Sequence, residues 1–268
     1  MANYGFALKM DRAKYHFDTF TSEAERFLKL NNNASSIEVN LNQVERSTKF
    51  RILVKPPPEL SIYIGDCLYN LRSALDHLIW ELSKGKGNTR TEFPIFREQS
   101  KFAELRRNGR PAPTSGLFKI ECLPTTIQTE IERMQPYDRS DRVTYLPLWW
   151  LHELSNMDKH QMLVTSCAAP EQARFEFRKG IKVGQGELLQ TVVAPFGPIY
   201  DGAELNQFDT FERLMAKSDR GVNMDGVFKM KIAFDQSTAF RGKFVEDVLG
   251  EINFVIAQRI YPTLKGFL

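Results

Sequence analysis

Hydrophobic and polar positions divide the stretch from Glu59 to Ser83 into the two faces of one long amphipathic helix. At about 100° per residue, one arc collects Ile64, Leu68, Leu71, Leu75, Leu78, Ile79 and Leu82, with Cys67 and Ala74 at its margin. The opposite arc collects Asp66, Tyr69, Asn70, Arg72, Ser73, Asp76, His77 and Trp80. A solvated helix face usually carries Lys and Glu. The polar arc of this helix therefore indicates a site or an interface.

The same spacing of apolar positions predicts further helices over residues 4–30, 100–108, 125–134, 147–156 and 240–261. Alternation of apolar and polar residues predicts an early β-hairpin, with Ile37, Val39 and Leu41 on one strand and Phe50, Ile52 and Val54 on the other. Strands are predicted again over residues 161–166, 173–178, 187–193 and 227–234. The expected fold is mainly α with added β-structure (α+β). Residues 1–166 form a helical bundle with the hairpin, and residues 167–268 form a β-rich section whose final helix packs back on the bundle.

Charge and cysteine content change this picture little. A net charge of +3 and a pI of 8.7 permit a polyanionic partner without requiring one. The cysteines Cys67, Cys122 and Cys167 form no C-x-x-C pair, which disfavours a zinc ribbon or a disulfide scaffold and fits a reducing compartment. No apolar run approaches the ~18 residues of a membrane span. The sequence therefore predicts a soluble, cytoplasmic protein that does not enter a membrane.

Candidate chemistry on the central helix lies at Arg72 and His77. These residues flank the polar arc, and Asn70 and Ser73 lie on one stripe with His77. A histidine that titrates near neutrality beside a permanent cation suits phosphodiester chemistry, in which His moves protons and Arg stabilises the charged phosphorane. The alternative is structural: Arg72 pairs with Asp76 four residues later, and His77 is a hydrogen-bonded interface residue.

A second polar motif, L-H-E-L-S-N-M-D-K-H, runs from Leu151 to His160. Its last three residues, Asp158, Lys159 and His160, lie where a predicted helix meets a predicted strand. One hypothesis places them beside the Arg72 and His77 face as electrostatic or phosphate-binding supplements. The alternative is a plain helix C-terminus, whose negative end Lys159 and His160 complement. Trp149 and Trp150, just before this motif, are predicted to be core residues.

A metal-dependent hydrolase is a further alternative. The residue types that bind zinc or iron in helical bundles are available as His77, His152 and His160 with Asp76, Glu153 and Asp158. However, H-E-L-S-N lacks the second histidine of the H-E-x-x-H metalloprotease motif. The chain also lacks a Gly-rich phosphate loop, a dinucleotide fingerprint and a nucleophile elbow. We therefore expect neither a metal nor a cofactor.

The R-x-x-x-x-H pattern at Arg72 to His77, on an amphipathic helix of a helical bundle, resembles the signature of HEPN-domain proteins. The chain is also similar to a group of uncharacterised bacterial proteins of comparable length. The similarity lies in the run G-D-C-L-Y-N-L-R-S-A-L-D-H-L-I-W-E-L and in two later segments, F-P-I-F (Phe93 to Phe96) and L-S-N-M-D-K-H (Leu154 to His160). The resemblance covers the central helix and the bundle around it. It departs at Ser73, because active HEPN members often carry Asn, Asp or His after the arginine.

The resemblance implies a metal-independent endoribonuclease that acts as a toxin or defence effector. Its composite site would lie at a homodimer interface, with Arg72 and His77 as catalytic residues. Supporting residues would be Asn70, Ser73, Asp76, Asp158, Lys159 and His160. The implied partners are RNA, a second copy of the chain and an antitoxin or defence-system protein. Other members of the family are non-catalytic interaction or nucleotide-binding modules, which is the alternative function.

Overall fold

A buried apolar stripe runs along α2, which spans Glu59–Leu82. The structure is a computed structural model that describes residues 4–31, 35–40, 47–137, 142–160, 165–183, 186–194, 224–235 and 239–268. Residues group into two compact units. The helical unit comprises Met1–Thr21, Ser61–Leu163 and Glu246–Leu268, and the sheet unit comprises Ser22–Leu60 and Val164–Val245. Each unit is assembled from separate stretches of the chain.

The described part of the chain is mainly helical, as predicted. The helices are α1 (Tyr4–Leu30), α2, α3 (Gln99–Phe102), α4 (Gly116–Lys119), α5 (Thr125–Arg133), α6 (Arg142–His160) and α7 (Val245–Val255). A π-helical turn (Ile256–Ile260), α8 (Tyr261–Leu264) and a 3-10 turn (Lys265–Phe267) complete the C-terminal end. No helix in these described ranges is both long and apolar enough to cross a membrane.

Antiparallel pairing defines the strands. Strand β1 (Ser35–Asn40) pairs with β2 (Ser47–Ile52) in a register that runs from Ser35 opposite Ile52 to Asn40 opposite Ser47. Leu41, an apolar position of the predicted hairpin, lies outside the described residues. A second sheet has the order β4-β3-β5, built from β3 (Thr165–Val183), β4 (Gly186–Ala194) and β5 (Met224–Phe234). Most of the strand predicted over residues 161–166, namely 161–164, lies outside the described residues.

The apolar arc of α2 forms the core of the helical unit. All seven predicted arc residues are at most 2% exposed, and the two margin residues, Cys67 and Ala74, are equally buried. Buried side chains from other elements of the unit join them: Phe6, Ala13 and Phe20 from α1, Leu148, Leu151 and Leu154 from α6, and Val248, Leu249 and Ile252 from α7. Hydrophobic burial of this stripe therefore fixes which face of α2 remains available for a site.

A buried glutamine holds the segment between α2 and α3 in place. Gln135 Oε1 accepts a hydrogen bond from the Phe96 backbone N–H at 2.9 Å, and Nε2 donates to the carbonyl oxygens of Pro94 at 2.9 Å and Ile131 at 3.1 Å. Phe93 and Ile95 of the same segment are buried. The F-P-I-F segment is thus fixed against the end of α5 by both packing and backbone hydrogen bonds.

Three predicted helices differ from the observed ones. The helix predicted over residues 240–261 begins only at Val245. Helix α6 begins at Arg142, so the prediction that it begins at Pro147 is wrong; the proline lies inside the helix. The helix predicted over residues 100–108 ends at Phe102. Beyond it, Leu105 pairs with Pro111 in an isolated antiparallel bridge, and the chain reverses through Gly109, whose φ is +77°. Glycine adopts this left-handed conformation without steric cost, so the turn replaces a further helical turn.

Candidate functional site

The polar face of α2 contacts the F-P-I-F segment through Arg72 and Asp76. Arg72 Nη2 donates a hydrogen bond to the Phe93 carbonyl oxygen at 2.7 Å and lies 3.3 Å from Asp76 Oδ1. Asp76 Oδ1 in turn accepts from the Phe93 backbone N–H at 2.9 Å. The arginine side chain is only 15% exposed. The two side chains therefore form the expected i,i+4 pair and together satisfy both backbone groups of one residue.

Glu92 extends this network toward α4. Its Oε1 lies 2.5 Å from Lys119 Nζ, and its Oε2 lies 3.8 Å from Arg72 Nη2. Burial raises the pKa of the Glu92 carboxyl, but the hydrogen bond and charge of Lys119, with the charges of Arg72 and Lys159, outweigh that effect and leave the pKa below its usual value. Glu92 is therefore a fully ionised anion at neutral pH, surrounded by cations.

The net shift has the opposite sign at Asp76, because burial is the dominant effect there. Burial raises the pKa of this carboxyl above its usual value, and the nearby positive charge of Arg72 and the Phe93 hydrogen bond only partly offset the effect. Arg72 Nη1 is buried and forms no hydrogen bond within the described part of the chain. The guanidinium group is thus held firmly at one nitrogen while the other has unused hydrogen-bonding capacity.

His152 of α6 lies in the field of the same charges. Burial first, then the positive charges of Arg72, Lys119 and Lys159, lower its pKa to about 4, while Glu92 acts in the opposite direction. Its Nε2 is 3.0 Å from Asn156 Nδ2. Because an amide nitrogen only donates, Nε2 accepts this hydrogen bond and the ring proton resides on Nδ1. His152 is consequently a neutral imidazole at physiological pH.

Aromatic and cationic side chains border His152. Its ring stacks on Trp149 with centroids 5.2 Å apart, and the guanidinium carbon of Arg97 lies 5.6 Å from the centre of the Trp149 ring. The prediction that Trp149 is a core residue is wrong, because the side chain is partly exposed. Its contact with a titratable ring makes it part of the polar surroundings of α6.

His77 lies on a different side of α2 from these contacts. It is exposed, and a Cβ atom placed on Gly5 of α1 would be only 2.5 Å from its Nδ1. Within the described part of the chain, Arg72 and His77 share no hydrogen bond or ion pair. The two predicted catalytic residues therefore do not meet within one copy of the chain, as expected from their positions on opposite flanks of the polar arc.

The supporting residues on α2 have separate environments. Asn70, predicted on the polar arc, is buried at 6% exposure, and its Nδ2 donates to the Asp66 carbonyl oxygen at 2.8 Å. Ser73 is partly exposed. Asn70 therefore satisfies a carbonyl of its own helix, and only Asp76 among the supporting residues of α2 contacts Arg72.

The three supporting residues at the end of α6 have three different environments. The Asp158 carboxylate packs on Gly65 of α2, and burial, followed by the negative charge of Asp66, raises its pKa. Lys159 is exposed, and its charge acts on the Glu92 and His152 groups. His160 is exposed and makes no hydrogen bond or ion pair with the residues that the structure describes. Only Lys159 thus lies near the Arg72 network.

Three site residues escaped the sequence patterns. Glu92 lies in a loop and Lys119 in a single-turn helix, so neither belongs to a periodic stripe. His16 of α1 is buried, and its Nδ1 lies 3.6 Å from Asp66 Oδ2. The only usable signal was the position of Glu92 directly before the apolar F-P-I-F segment. Contacts between elements, which spacing along one helix does not encode, bring these residues to the site.

A metal centre has no support in the described residues, since no three His, Cys, Asp or Glu side chains there are placed to hold an ion. Comparison with known proteins adds no assignment: no protein-family model, no curated protein and no solved structure matches this chain.

Proposed function

We propose that the helical unit is a HEPN-like interaction module that forms a homodimer through the exposed side of α2. The observation that supports this proposal is a stripe of large apolar side chains on a helix whose opposite face is fully buried. Ile62 is 57% exposed, Tyr69 60% and Trp80 48%. Exposed Tyr and Trp side chains are typical of protein interfaces, since they supply large contact area at a low entropic cost.

The spacing of the stripe fits a helix interface. Tyr69 follows Ile62 by seven residues and Trp80 follows Tyr69 by eleven, so all three project from the same side of α2. Lys9 Nζ of α1 lies 5.3 Å from the centre of the Tyr69 ring. An isologous dimer would place the stripe against its own copy and exclude water from both.

A change in oligomeric state tests this proposal. Tyr69→Glu and Trp80→Glu introduce a charge on the stripe without touching the core, so each is expected to convert a dimer to a monomer in sedimentation velocity. Phe254→Glu is the matched control, because Phe254 is a comparably exposed aromatic residue of α7. A wild-type chain that sediments as a monomer, or a Tyr69→Glu chain that stays dimeric, contradicts the proposal.

A second candidate is a metal-independent endoribonuclease of the toxin or defence type. It is favoured by His77, which is exposed and lies three residues before Trp80 on α2. In a dimer, His77 of one copy would approach RNA bound across the interface, with Arg72 as the residue that stabilises negative charge. This candidate places the protein in the cytoplasm, where its RNA substrate and an antitoxin would be found.

Cleavage of labelled RNA with and without EDTA tests the second candidate. Activity that survives chelation and is lost in His77→Gln supports it. Arg72→Lys is the informative arginine variant, because it keeps the charge near Phe93, and circular dichroism must show that the fold is retained. Glu81→Gln, a change at a partly exposed residue one turn away, is the control and is expected to keep full activity. RNA that remains intact with the dimeric wild type excludes the ribonuclease and leaves the interaction module.

A further inference from the structure

We propose that the helical unit binds a phosphate group in a cationic cluster that consists of Arg72 of α2, Lys119 of α4, and His152 and Lys159 of α6. This inference shares Arg72 with the ribonuclease candidate, but it requires neither a second copy of the chain nor RNA cleavage by His77. The ligand is a terminal phosphate group, supplied by inorganic phosphate or by a phosphate monoester such as a nucleoside 5′-monophosphate.

Convergence of charge from three helices is the first argument. Arg72 and Lys119 both contact Glu92, at 3.8 Å and 2.5 Å, so their cationic groups lie on either side of one carboxylate. Lys159 adds a third positive charge that acts on both Glu92 and His152. Residues that are far apart in sequence thus bring two cations to one carboxylate. Lys159 follows His152 by seven residues on the same side of α6 and supplies a third positive charge nearby. Several cations around one anion-binding position is the arrangement that recognises phosphate.

Charge balance is the second argument. Three cations face two carboxylates, Asp76 and Glu92, and His152 adds no charge while it is neutral. The cluster therefore carries a net positive charge of one. A buried network that served only to join helices would be expected to pair its charges completely. The excess cation, together with the exposed Lys159, leaves a surface that attracts an anion.

Solvent access to the cluster and an unused donor inside it are the third argument. Glu92 and Lys119 are partly exposed, at 39% and 25% of their side chains, so solvent reaches the cluster. Arg72 Nη1 is a buried donor without a hydrogen bond in the described structure. His152 carries its proton on Nδ1. Trp149, stacked on His152 and partly exposed, offers an aromatic surface for a nucleotide base next to the phosphate.

Glu92 is the internal competitor of the ligand. It occupies Lys119 at 2.5 Å, as a phosphate oxygen would. A bound phosphate would therefore share or displace this carboxylate. Removing its charge in Glu92→Gln is expected to tighten phosphate binding by roughly fivefold. A network with a structural role only would be weakened by this substitution, and any gain in its attraction for anions would be reproduced by chloride at matched ionic strength.

The four histidines of the chain make the test direct. Side-chain NMR is used to titrate inorganic phosphate and, in parallel, adenosine 5′-monophosphate, with sodium chloride at matched ionic strength as the reference. His152 titrates near pH 4, where a bound phosphate is a monoanion. Its negative charge opposes the Arg72, Lys119 and Lys159 charges, so the pKa of His152 is expected to rise by about 0.5 to 1 on binding. The signals of His77 and His160 are the internal references and should not respond to phosphate. Lys119→Gln and Lys159→Gln are expected to weaken binding, and Lys84→Gln is the control.

Every result decides the question. A saturable phosphate effect on His152 that Lys119→Gln weakens and Glu92→Gln strengthens supports the site. Tighter binding of the nucleotide than of inorganic phosphate extends the site to Trp149, and equal binding restricts it to the phosphate group. A His152 response that chloride reproduces, or that Lys119→Gln leaves unchanged, overturns the proposal. Since these readouts involve neither dimerisation nor RNA cleavage, failure here and failure of the proposed function remain distinguishable.

Discussion

His152 is the residue whose proton binding the fold changes most clearly. Its ordinary pKa of 6.5 falls to about 4 because the ring is buried and three cations surround it. The folded state therefore binds this proton less readily than the unfolded chain does. His152 contributes stability that is fully present above pH 6.5 and is lost as the pH falls through 6.5 toward 4.

The expected consequence is an acid-sensitive free energy of unfolding. Over the full window the contribution of His152 amounts to about 3 kcal/mol. Urea unfolding at several pH values is expected to show that His152→Gln loses less stability on acidification than the wild type does. His160→Gln, which changes an exposed histidine of the same helix, is the control and should follow the wild type. Parallel pH profiles for all three proteins would contradict the assignment.

At the residue scale, contacts between side chains of one helix could be predicted from the sequence, and contacts between side chains of different helices could not. The Arg72 and Asp76 pair follows from their spacing, and it forms at 3.3 Å. The approach of Arg72 to His152 joins residues eighty positions apart and depends on how α2 and α6 pack. Asn70 shows the same limit, because it is polar on a helical wheel but buried through a bond to the Asp66 carbonyl.

At the scale of the element, two helical glycines differ in how closely other atoms pack against them. A Cβ atom on Gly65 of α2 would lie 2.5 Å from Asp158 Oδ1 and 2.8 Å from its Cγ. A Cβ atom on Gly250 of α7 would have no atom within 4 Å. Both glycines are inside helices, so both substitutions to alanine gain the same intrinsic helix propensity. Only the packing differs between the two sites.

Opposite changes in stability are therefore expected from the two alanine substitutions. Gly250→Ala should raise the free energy of unfolding by about 1 kcal/mol through helix propensity. Gly65→Ala should lower it by roughly 1 kcal/mol, because the Asp158 carboxylate must move. The double variant Gly65→Ala, Asp158→Ala removes the obstruction and should recover the loss. Equal stabilisation by both single alanines in chemical denaturation would show that α6 does not approach Gly65 closely.

The strong periodicity of the apolar residues allowed the helices to be predicted. The positions where a helix begins or breaks could not be predicted in the same way. Helix α2 was predicted over 59–83 and spans Glu59–Leu82, because seven apolar residues on one arc leave no other way to bury them. The start of α6 was misplaced because Pro147 is tolerated within the helix rather than only in its first turn. In α1 the apolar residue Leu8 is 55% exposed, whereas Phe6 and Ala13 are buried.

At the scale of the whole molecule, Cys67 reports on how the helical unit is assembled. The thiol lies at the base of a groove of about 190 Å³ that residues of α1, α2 and α7 line. These helices come from three separate stretches of the chain. Burial raises the pKa of Cys67 to about 12. Because the thiolate is the reactive form, this cysteine is expected to be inert until the three helices separate.

Alkylation followed by peptide mass spectrometry measures that separation. In native buffer Cys67 is expected to react at least about a hundredfold more slowly than Cys122, whose side chain is partly exposed.

Leu249→Ala removes a buried side chain from the groove. It is expected to lower the free energy of unfolding by about 3 kcal/mol and to speed the labelling of Cys67 in proportion. Phe254→Ala, on the exposed side of the same helix, is the matched control and should change neither quantity. Leu249 belongs to the last of the three stretches and Cys67 to the middle one. If the rate of Cys67 labelling rises with denaturant in parallel with the loss of helical structure, the stretches open as one unit. Labelling of Cys67 at the native rate of Cys122 would show that α7 does not cover the thiol.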